Sequence, residues 1–266
     1  MKTHIKIYND ILTKVQYISK QLKLKISKST GRPLSINPED TIAMALFKQS
    51  NGIPTKKAIW KIFDLKSSYK TLVVQMNKLA VYALLILNVL LKLNQKNAHF
   101  VKHTDSTDIP VCLNKNAKYH KTMKMLSSWG HSGKGWYYGL KMSITTDLKR
   151  QLLAVRFTSA NGDDRKTFLK MNEEMMGIFV ADAGYISKEL EKSFYIENKR
   201  ILFSKPKANM KKIITEFQYH LYNTRMLIEL HFRSLKMFKG LVTTLPKSID
   251  GYLSNYVYSL LAHVLG

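Results

Sequence analysis

The first hundred residues carry apolar positions at the 3.6-residue spacing typical of helices. The segment 5–22 predicts one helix, and the segment from Ser67 or Ser68 to about Leu93 predicts a long one. Between them, Asn37-Pro38-Glu39-Asp40 combines a capping side chain, a proline at the first position and acids in the first turn, which predicts a helix start. We expect that helix to end near Gln49.

From about residue 97 the pattern changes to short strands separated by helices. The segments 136–145 and 152–158 alternate as strands and flank a turn at 147–150. Further short strands are predicted at 99–103, 178–181 and 201–204, with helices at 163–171, 186–194, 215–239 and 249–265. Strands that alternate with helices predict an α/β domain with a mixed sheet. The chain is therefore expected to have two parts, residues 1–95 and 96–266.

The helical part contains a candidate nucleic-acid-binding element. Two short helices separated by a turn with Gly52, and followed by a third helix, resemble a helix-turn-helix unit. Thr55 is expected to cap the second of them, a short helix that reaches Phe63 and is the candidate recognition helix. Its basic residues are Lys56, Lys57 and Lys61. The alternative that stays open is an ordinary helical bundle with a solvated basic face.

Composition narrows the class of protein. The formal net charge is +25, which favours a polyanionic partner, with nucleic acid first. A lysine-rich composition inherited from an AT-rich genome is the alternative. The single cysteine, Cys112, excludes an internal disulfide and a cysteine-cluster zinc site. The longest apolar stretch, Leu79–Leu87, is too short to cross a bilayer, and no signal peptide is evident, so we expect a cytoplasmic protein without a membrane partner.

Three carboxylates are candidates for chemistry. Asp105 and Asp182 follow predicted strands, where ligands and catalytic groups gather in α/β sheets. Glu229 lies inside a predicted helix among apolar residues, where a carboxylate is costly unless it faces a partner or a cation. Carboxylate oxygens suit hard divalent cations, so we expect two Mg²⁺ ions, with Mn²⁺ as a substitute. Two such ions would serve phosphodiester cleavage.

The helix around Glu229 carries further polar residues on one face. Tyr222, Arg225, Glu229 and Lys236 lie within an arc of about 60° when each residue turns the helix by about 100°. An acid, two cations and a tyrosine are what a face presented to a scissile phosphate needs. The alternative is an exposed helix on which Arg225 and Glu229 form an ordinary i,i+4 pair.

The pattern Tyr222-x-x-Arg225-x-x-x-Glu229-x-x-x-x-x-x-Lys236 resembles the Tyr-Arg-Glu-Lys signature of bacterial insertion-sequence transposases of the DDE type. The segments 181–187 and 105–112 are similar to that family's second- and first-aspartate segments. The resemblance covers about residues 97–240. It implies an RNase H-like fold in which Asp105, Asp182 and Glu229 hold metal.

The resemblance also implies that Tyr222, Arg225 and Lys236 contact the DNA backbone near the cut. On this basis the helical part would bind the terminal inverted repeats of a mobile element. The α/β part would act as a metal-dependent endonuclease and join the freed 3′-hydroxyl to target DNA. A homodimer on double-stranded DNA, association with the bacterial nucleoid and independence from nucleotide cofactors are expected with it, since no Gly-rich phosphate loop is present.

Several alternatives stay open at this point. Asp108 is a rival to Asp105 for the first metal ligand. His120 and Lys121, in the loop before the Trp-rich strand, are candidates for phosphate contact or simply a solvated loop. Trp129, Trp136 and the tyrosines beside Trp136 could stack on a flipped base or belong to the core. A nuclease without strand transfer and a non-enzymatic DNA-binding protein are the rival functions.

Overall fold

The computed structural model describes residues 2–24, 35–206, 210 and 213–266, with side chains from His4 onward. Its helices are α1 (Lys2–Gln21), α2 (Pro38–Ser50), α3 (Lys56–Ile62), α4 (Tyr69–Lys96), α5 (Asp164–Met171), α6 (Lys188–Phe194), α7 (Glu216–Thr224), α8 (Met226–Arg233) and α9 (Ile249–Val264). Its strands are β1 (Val101–Pro110), β2 (Ser128–Ser132), β3 (Gly135–Asp147), β4 (Leu152–Ser159), β5 (Gly177–Ala181) and β6 (Arg200–Ser204).

The chain divides into a helical unit, Met1–Leu90 with Ser234–Gly266, and a sheet unit, Leu91–Arg233. The predicted caps of the helical unit are confirmed. The Asn37 side chain accepts a hydrogen bond from the backbone N–H of Glu39 at the start of α2, and Thr55 accepts one from Ala58 at the start of α3. These side chains satisfy backbone donors that have no partner within the helix.

The C-terminal helix packs with the N-terminal helices, whereas the sequence placed it in the part that starts at residue 96. The Nε2 of Gln49, on α2, donates to the side chains of Asn255 and Ser259, on α9, at 2.8 and 3.0 Å. The Tyr258 hydroxyl donates to the carbonyl of Met76 in α4 at 2.9 Å. These buried polar contacts fix α9 against α2 and α4 because their loss would leave unsatisfied groups in the core.

By length and composition, α4 is the one helix in the described ranges that is apolar enough to cross a membrane. Within the helical unit, however, its residues Leu72, Met76 and Ala83 are fully buried and Ile86 is nearly so. This burial is typical of a helix in a protein core, as the sequence predicted for Leu79–Leu87.

The described strands form a six-stranded mixed sheet in the order β2-β3-β1-β5-β6, with β4 also paired to β3. β3 runs antiparallel to β1, β2 and β4, whereas β1, β5 and β6 are parallel. Successive strand residues point to opposite faces, so Phe179 packs with Phe168 of α5 while Val180 packs with Leu221 of α7. The sheet therefore has helices on both faces, and the predicted α/β class with a mixed sheet is confirmed.

Two elements differ from their predicted bounds. β1 continues to Pro110 because its pairing with β3 extends to Gly139, where any Cβ would clash with the carbonyl oxygen of Ile109. The helix predicted over 215–239 is instead α7, α8 and the π-helical segment Ser234–Phe238. The break lies at Arg225, after Thr224, whose hydroxyl donates to the carbonyl of Leu221 at 2.6 Å, a side-chain bond that bends helices.

Candidate active site

Asp105 lies in the middle of β1, with about a fifth of its side chain exposed. Its Oδ1 accepts a hydrogen bond from the backbone N–H of Ser106 at 2.8 Å. Its Oδ2 accepts one from Nη1 of Arg225 at 2.6 Å. Burial raises the pKa of Asp105 to about 6, against the opposing effect of the Arg225 charge. A carboxylate that resists ionisation in this way gains when a further cation is placed beside it.

Asp182 directly follows β5, the strand parallel to β1. The register pairs Thr104 with Ala181, so the next residues are Asp105, within β1, and Asp182, just past the end of β5. The negative charge of Asp182 adds to the rise in the pKa of Asp105, after the larger effect of burial. The structure therefore brings the first two predicted acids together where β5 ends beside the middle of β1.

Glu229 is connected to this site by an ion pair with Arg225. It lies on α8 with most of its side chain exposed, and its Oε1 is 3.4 Å from Nη2 of Arg225. Arg225 thus pairs with Asp105 and Glu229 at once, including the i,i+4 pair that the sequence left open. Throughout the described residues, no three His, Cys, Asp or Glu side chains lie close enough to hold a metal ion.

The donor chemistry fits a hard divalent cation even though the third acid is not gathered with the first two. Asp105 and Asp182 adjoin and offer carboxylate oxygens, which are the ligands that Mg²⁺ prefers. Glu229 is linked to Asp105 by the guanidinium group of Arg225, which contacts both carboxylates. The raised pKa of Asp105 is the second observation that favours a cation at this place.

Asp105 and Asp108, the two candidates for the first metal ligand, lie on opposite faces of the sheet. In the pairing of β1 with β3, Asp105 lies opposite Ile144 and Asp108 lies opposite Lys141. Residues three apart on a strand point to opposite faces. Only Asp105 shares the face covered by α7 and α8, so Asp105 is the candidate ligand.

Tyr222 is buried in the apolar cluster beneath α7, with 9% of its surface exposed. Its hydroxyl donates to the carbonyl of Ser204, at the end of β6, at 2.9 Å. In this arrangement Tyr222 anchors α7 to the sheet, so its predicted contact with the DNA backbone stays a prediction. Lys236 lies in the π-helical segment, which belongs to the helical unit.

A buried hydrogen-bonded pair, His103 and Thr224, lies beside the site and was not predicted from the sequence. His103 has no exposed surface, and its Nε2 is 2.8 Å from the Thr224 hydroxyl. That hydroxyl donates to Leu221, so the ring nitrogen donates to the hydroxyl. Burial lowers the pKa of His103 to about 4, which keeps the ring neutral. The signal was present in the spacing, because His103 precedes Asp105 by two residues and Thr224 directly precedes Arg225.

The loop and hairpin after β1 form a basic and aromatic surface. Between Pro110 and Asp147 the sequence has six lysines and no acid. Lys121 is exposed, while Nε2 of His120 accepts a hydrogen bond from the backbone N–H of Met123 at 3.3 Å. Lys121 therefore stays available to a phosphate, and the His120 ring helps to hold the loop.

The aromatic residues divide between core and surface. Tyr137 and Tyr138 are buried, whereas Trp136 is 65% and Trp129 44% exposed. The pairs Trp129–Tyr138 and His131–Trp136 lie opposite each other across β2 and β3, so all four side chains share one face. β3 continues from Trp136 to Ile144, the partner of Asp105, on that same face. Eight residues of strand place Trp136 about 26 Å from Asp105 along the sheet.

The predicted basic residues of α3 differ in exposure. Lys57 and Lys61 are exposed, whereas Lys56 is half-buried and its Nζ donates to Oδ1 of Asn77 at 2.5 Å. Burial lowers the pKa of Lys56 to about 8. Lys56 thus faces the interior of the helical unit rather than open solvent.

The sheet unit is thus an α/β fold in which Asp105 and Asp182 adjoin and Arg225 pairs with both Asp105 and Glu229. Residues 95–248 match the family described as the transposase DDE domain, so the chain belongs to the DDE transposases. A solved structure of the piggyBac transposase synaptic complex with hairpin DNA has a similar fold, with a TM-score of 0.54 and 8% identity. That alignment covers 98% of this chain and 73% of the piggyBac chain. No curated protein matches the chain.

Proposed function

We propose that this chain cleaves the ends of a mobile element and joins the freed 3′-hydroxyls to target DNA, with Asp105, Asp182 and Glu229 as its metal ligands. The observation that carries the proposal is the ion-pair arrangement around Arg225. One guanidinium contacts Asp105 at 2.6 Å and Glu229 at 3.4 Å, and Asp182 adjoins Asp105. This arrangement supports the assignment of the three acids to one site, because Asp105 and Asp182 adjoin across β1 and β5 and Glu229 pairs with the arginine that contacts Asp105.

Two divalent cations bound by these carboxylates would activate the attacking oxygen and stabilise the leaving one. In the first step water attacks the phosphodiester at the element's end, the bond to the 3′ oxygen breaks, and that oxygen leaves as a hydroxyl. In the second step this hydroxyl attacks a phosphodiester of the target and displaces a target 3′-hydroxyl. Bonds broken and formed balance, so neither step needs a nucleotide cofactor.

The chain's own residues give this chemistry its electrostatics. Arg225 carries a fixed positive charge beside the two acids, where it can donate charge-assisted hydrogen bonds to a phosphate oxygen. The hydrogen bond between the neutral His103 and Thr224 holds the end of α7 against β1. Because Arg225 directly follows Thr224, this contact positions the backbone from which the Arg225 side chain extends. Donors positioned before the reaction are worth more than donors that must move into place.

DNA is the proposed partner of both units. The net charge of +25 suits counterion release from a phosphate backbone, and Lys57 and Lys61 are exposed on the candidate recognition helix α3. The solved transposase with a similar fold is a complex with hairpin DNA, which supports DNA as the partner. Since a mobile element has two ends, we propose that a homodimer acts on them, at the bacterial nucleoid.

The test is a cleavage and strand-transfer assay with DNA that carries the sequences flanking the gene. Wild type would be compared with Asp182→Asn and with Asp108→Asn, which is the matched control because its carboxylate lies on the other face of the sheet. We expect nicked and joined products that require Mg²⁺ or Mn²⁺. These products should disappear in Asp182→Asn and persist in Asp108→Asn.

Other outcomes assign other functions. Nicked DNA without joined products would identify a nuclease of the same fold. Specific binding of the ends without any cleavage by wild type would identify a DNA-binding protein. Equal loss of activity in both variants would remove the distinction between the two faces of β1.

A further inference from the structure

A cavity of about 510 Å³ lies within the helical unit. The end of α2, the start of α3, the first three turns of α4, the segment 243–248 and the start of α9 line it. Four lysines line it: Lys48, Lys56, Lys57 and Lys247. Its volume falls within the usual range of small-molecule and cofactor sites, about 300–1,000 Å³.

None of the described residues that line the cavity is acidic. The Lys48 side chain is almost fully buried, and its Nζ donates a hydrogen bond to Oε1 of Gln49 at 3.1 Å. Lys56 donates to Oδ1 of Asn77. Within the described ranges, neither lysine forms an ion pair with a carboxylate. Asp250, on the first turn of α9, is exposed and does not line the cavity.

Lys48 is buried and Lys56 is half-buried, and the ammonium groups of both contact amide oxygens with no negative charge from the described residues to compensate them. Burial lowers the pKa of both Lys48 and Lys56 to about 8, and the Lys48 charge lowers that of Lys56 further. Buried charges in proteins are normally paired, because the free energy of removing an ion from water is large. An anion in the cavity would supply the missing partner to both side chains.

The remaining walls are apolar and come from Pro54, Val73, Leu245 and Pro246, beside the ring of Tyr69. A bare inorganic anion would leave these walls in contact with water. An anion that carries an apolar or aromatic group would fill them. A nucleotide has both parts, a phosphate for the lysines and a base and sugar for the apolar side.

We infer that this cavity binds the phosphate of a nucleotide through Lys48 and Lys56, with the attached sugar or base against Val73 and Leu245. The nucleotide could be free or part of a DNA strand, and the experiment separates these sources. The choice of a nucleotide over other organic phosphates rests on the proposed action on DNA. The cavity lies wholly in the helical unit and uses none of the carboxylates of the candidate active site.

The test measures binding to the full chain without divalent metal, so that no cleavage is required. Titration calorimetry would compare deoxyadenosine monophosphate, deoxyadenosine and inorganic phosphate. We expect saturable binding of the monophosphate, weaker binding of inorganic phosphate and none of the nucleoside. Lys56→Met should weaken binding of the monophosphate at least tenfold. Lys78→Met, an equal loss of charge at an exposed position on α4 outside the cavity, should leave it unchanged.

A short DNA duplex and a single strand then identify the source of the nucleotide. Competition by either DNA with the monophosphate would assign the cavity to a nucleotide of the strand, and lack of competition would assign it to a free nucleotide. Equal affinity of wild type and Lys56→Met, or equal binding of the nucleoside, would overturn the inference. If Lys56→Met does not fold, Lys247→Met, at an exposed position of the same lining, takes its place. Loss of cleavage in Asp182→Asn with unchanged monophosphate binding would show that the two proposals are independent.

Discussion

Replacing Lys48 with methionine should stabilise the helical unit at neutral pH. Methionine keeps most of the length of the side chain and removes a cation that is 8% exposed. Burial lowers the pKa of Lys48 from 10.5 to about 8. At about 1.4 kcal/mol for each tenfold change in proton affinity, keeping this lysine charged costs roughly 3 kcal/mol of folding free energy.

The gain is smaller than that cost, because the substitution also removes the hydrogen bond to Gln49. A buried acceptor left without its partner costs about 1–3 kcal/mol. We therefore expect Lys48→Met to raise the free energy of unfolding by about 1–2 kcal/mol at pH 7 in the absence of added phosphate.

The sign of the pH dependence follows from the direction of the shift. Between about pH 8 and 10.5 the unfolded chain holds a proton on Lys48 that the folded chain has lost. The stability of the wild type therefore rises with pH in this interval, through this lysine, and the variant lacks that rise. The advantage of Lys48→Met should shrink by pH 10 and be absent above it.

Urea unfolding, followed by circular dichroism at pH 7 and pH 10, measures the difference in the free energy of unfolding between Lys48→Met and wild type at each pH. Lys78→Met is the control, since it removes an exposed charge of the same kind. A variant that is less stable than wild type at pH 7 would refute the reasoning. An advantage of the same size at both pH values would also refute it, because the cost would then not come from the charge.

Three further substitutions test the sheet unit. Arg225→Met removes the cation beside Asp105 and should lower the rate of DNA cleavage about 100-fold with intact folding, measured by single-turnover nicking and circular dichroism; a rate near wild type would contradict its role. Tyr222→Phe removes the donor to the Ser204 carbonyl and should lower the free energy of unfolding by about 1–3 kcal/mol. The affinity for DNA, measured in a gel-shift assay, should not change. A loss of affinity at unchanged stability would instead support direct contact of Tyr222 with DNA. Trp136→Ala should weaken DNA binding roughly tenfold, because base stacking on an exposed aromatic ring is worth about 1–3 kcal/mol, and equal affinity would assign the ring no contact with DNA.

Much of the local structure could be predicted from the sequence because its causes are local. Asn37 and Thr55 cap the helices that the sequence assigned to them, since a cap needs only a side-chain oxygen and the next few backbone N–H groups. Asp163 caps α5 in the same way. The net charge and the spacing of Arg225 and Glu229 likewise required no tertiary information.

The choice between Asp105 and Asp108 depended on the tertiary structure. Both acids lie on β1, and only the register with β3 fixes which face each one occupies. A slip by one residue would exchange the faces, so the sequence of β1 alone leaves the ligand undecided. The same holds for Tyr222, whose burial depends on the position of β6, and for β2, which is too short and polar to show a pattern.

What the sequence by itself determined is therefore the inventory of this protein: its helices and their caps, most of its strands, its positive charge, and the acids and cations of the DDE signature. The tertiary structure decided which of these meet. It joined Arg225 to Asp105, 120 positions apart, packed α9 within the helical unit, and placed Lys48 and Lys56 on a cavity whose described lining contains no acid. The physical reason is that burial and pairing arise from segments distant in the chain, and they set the cost of each charge.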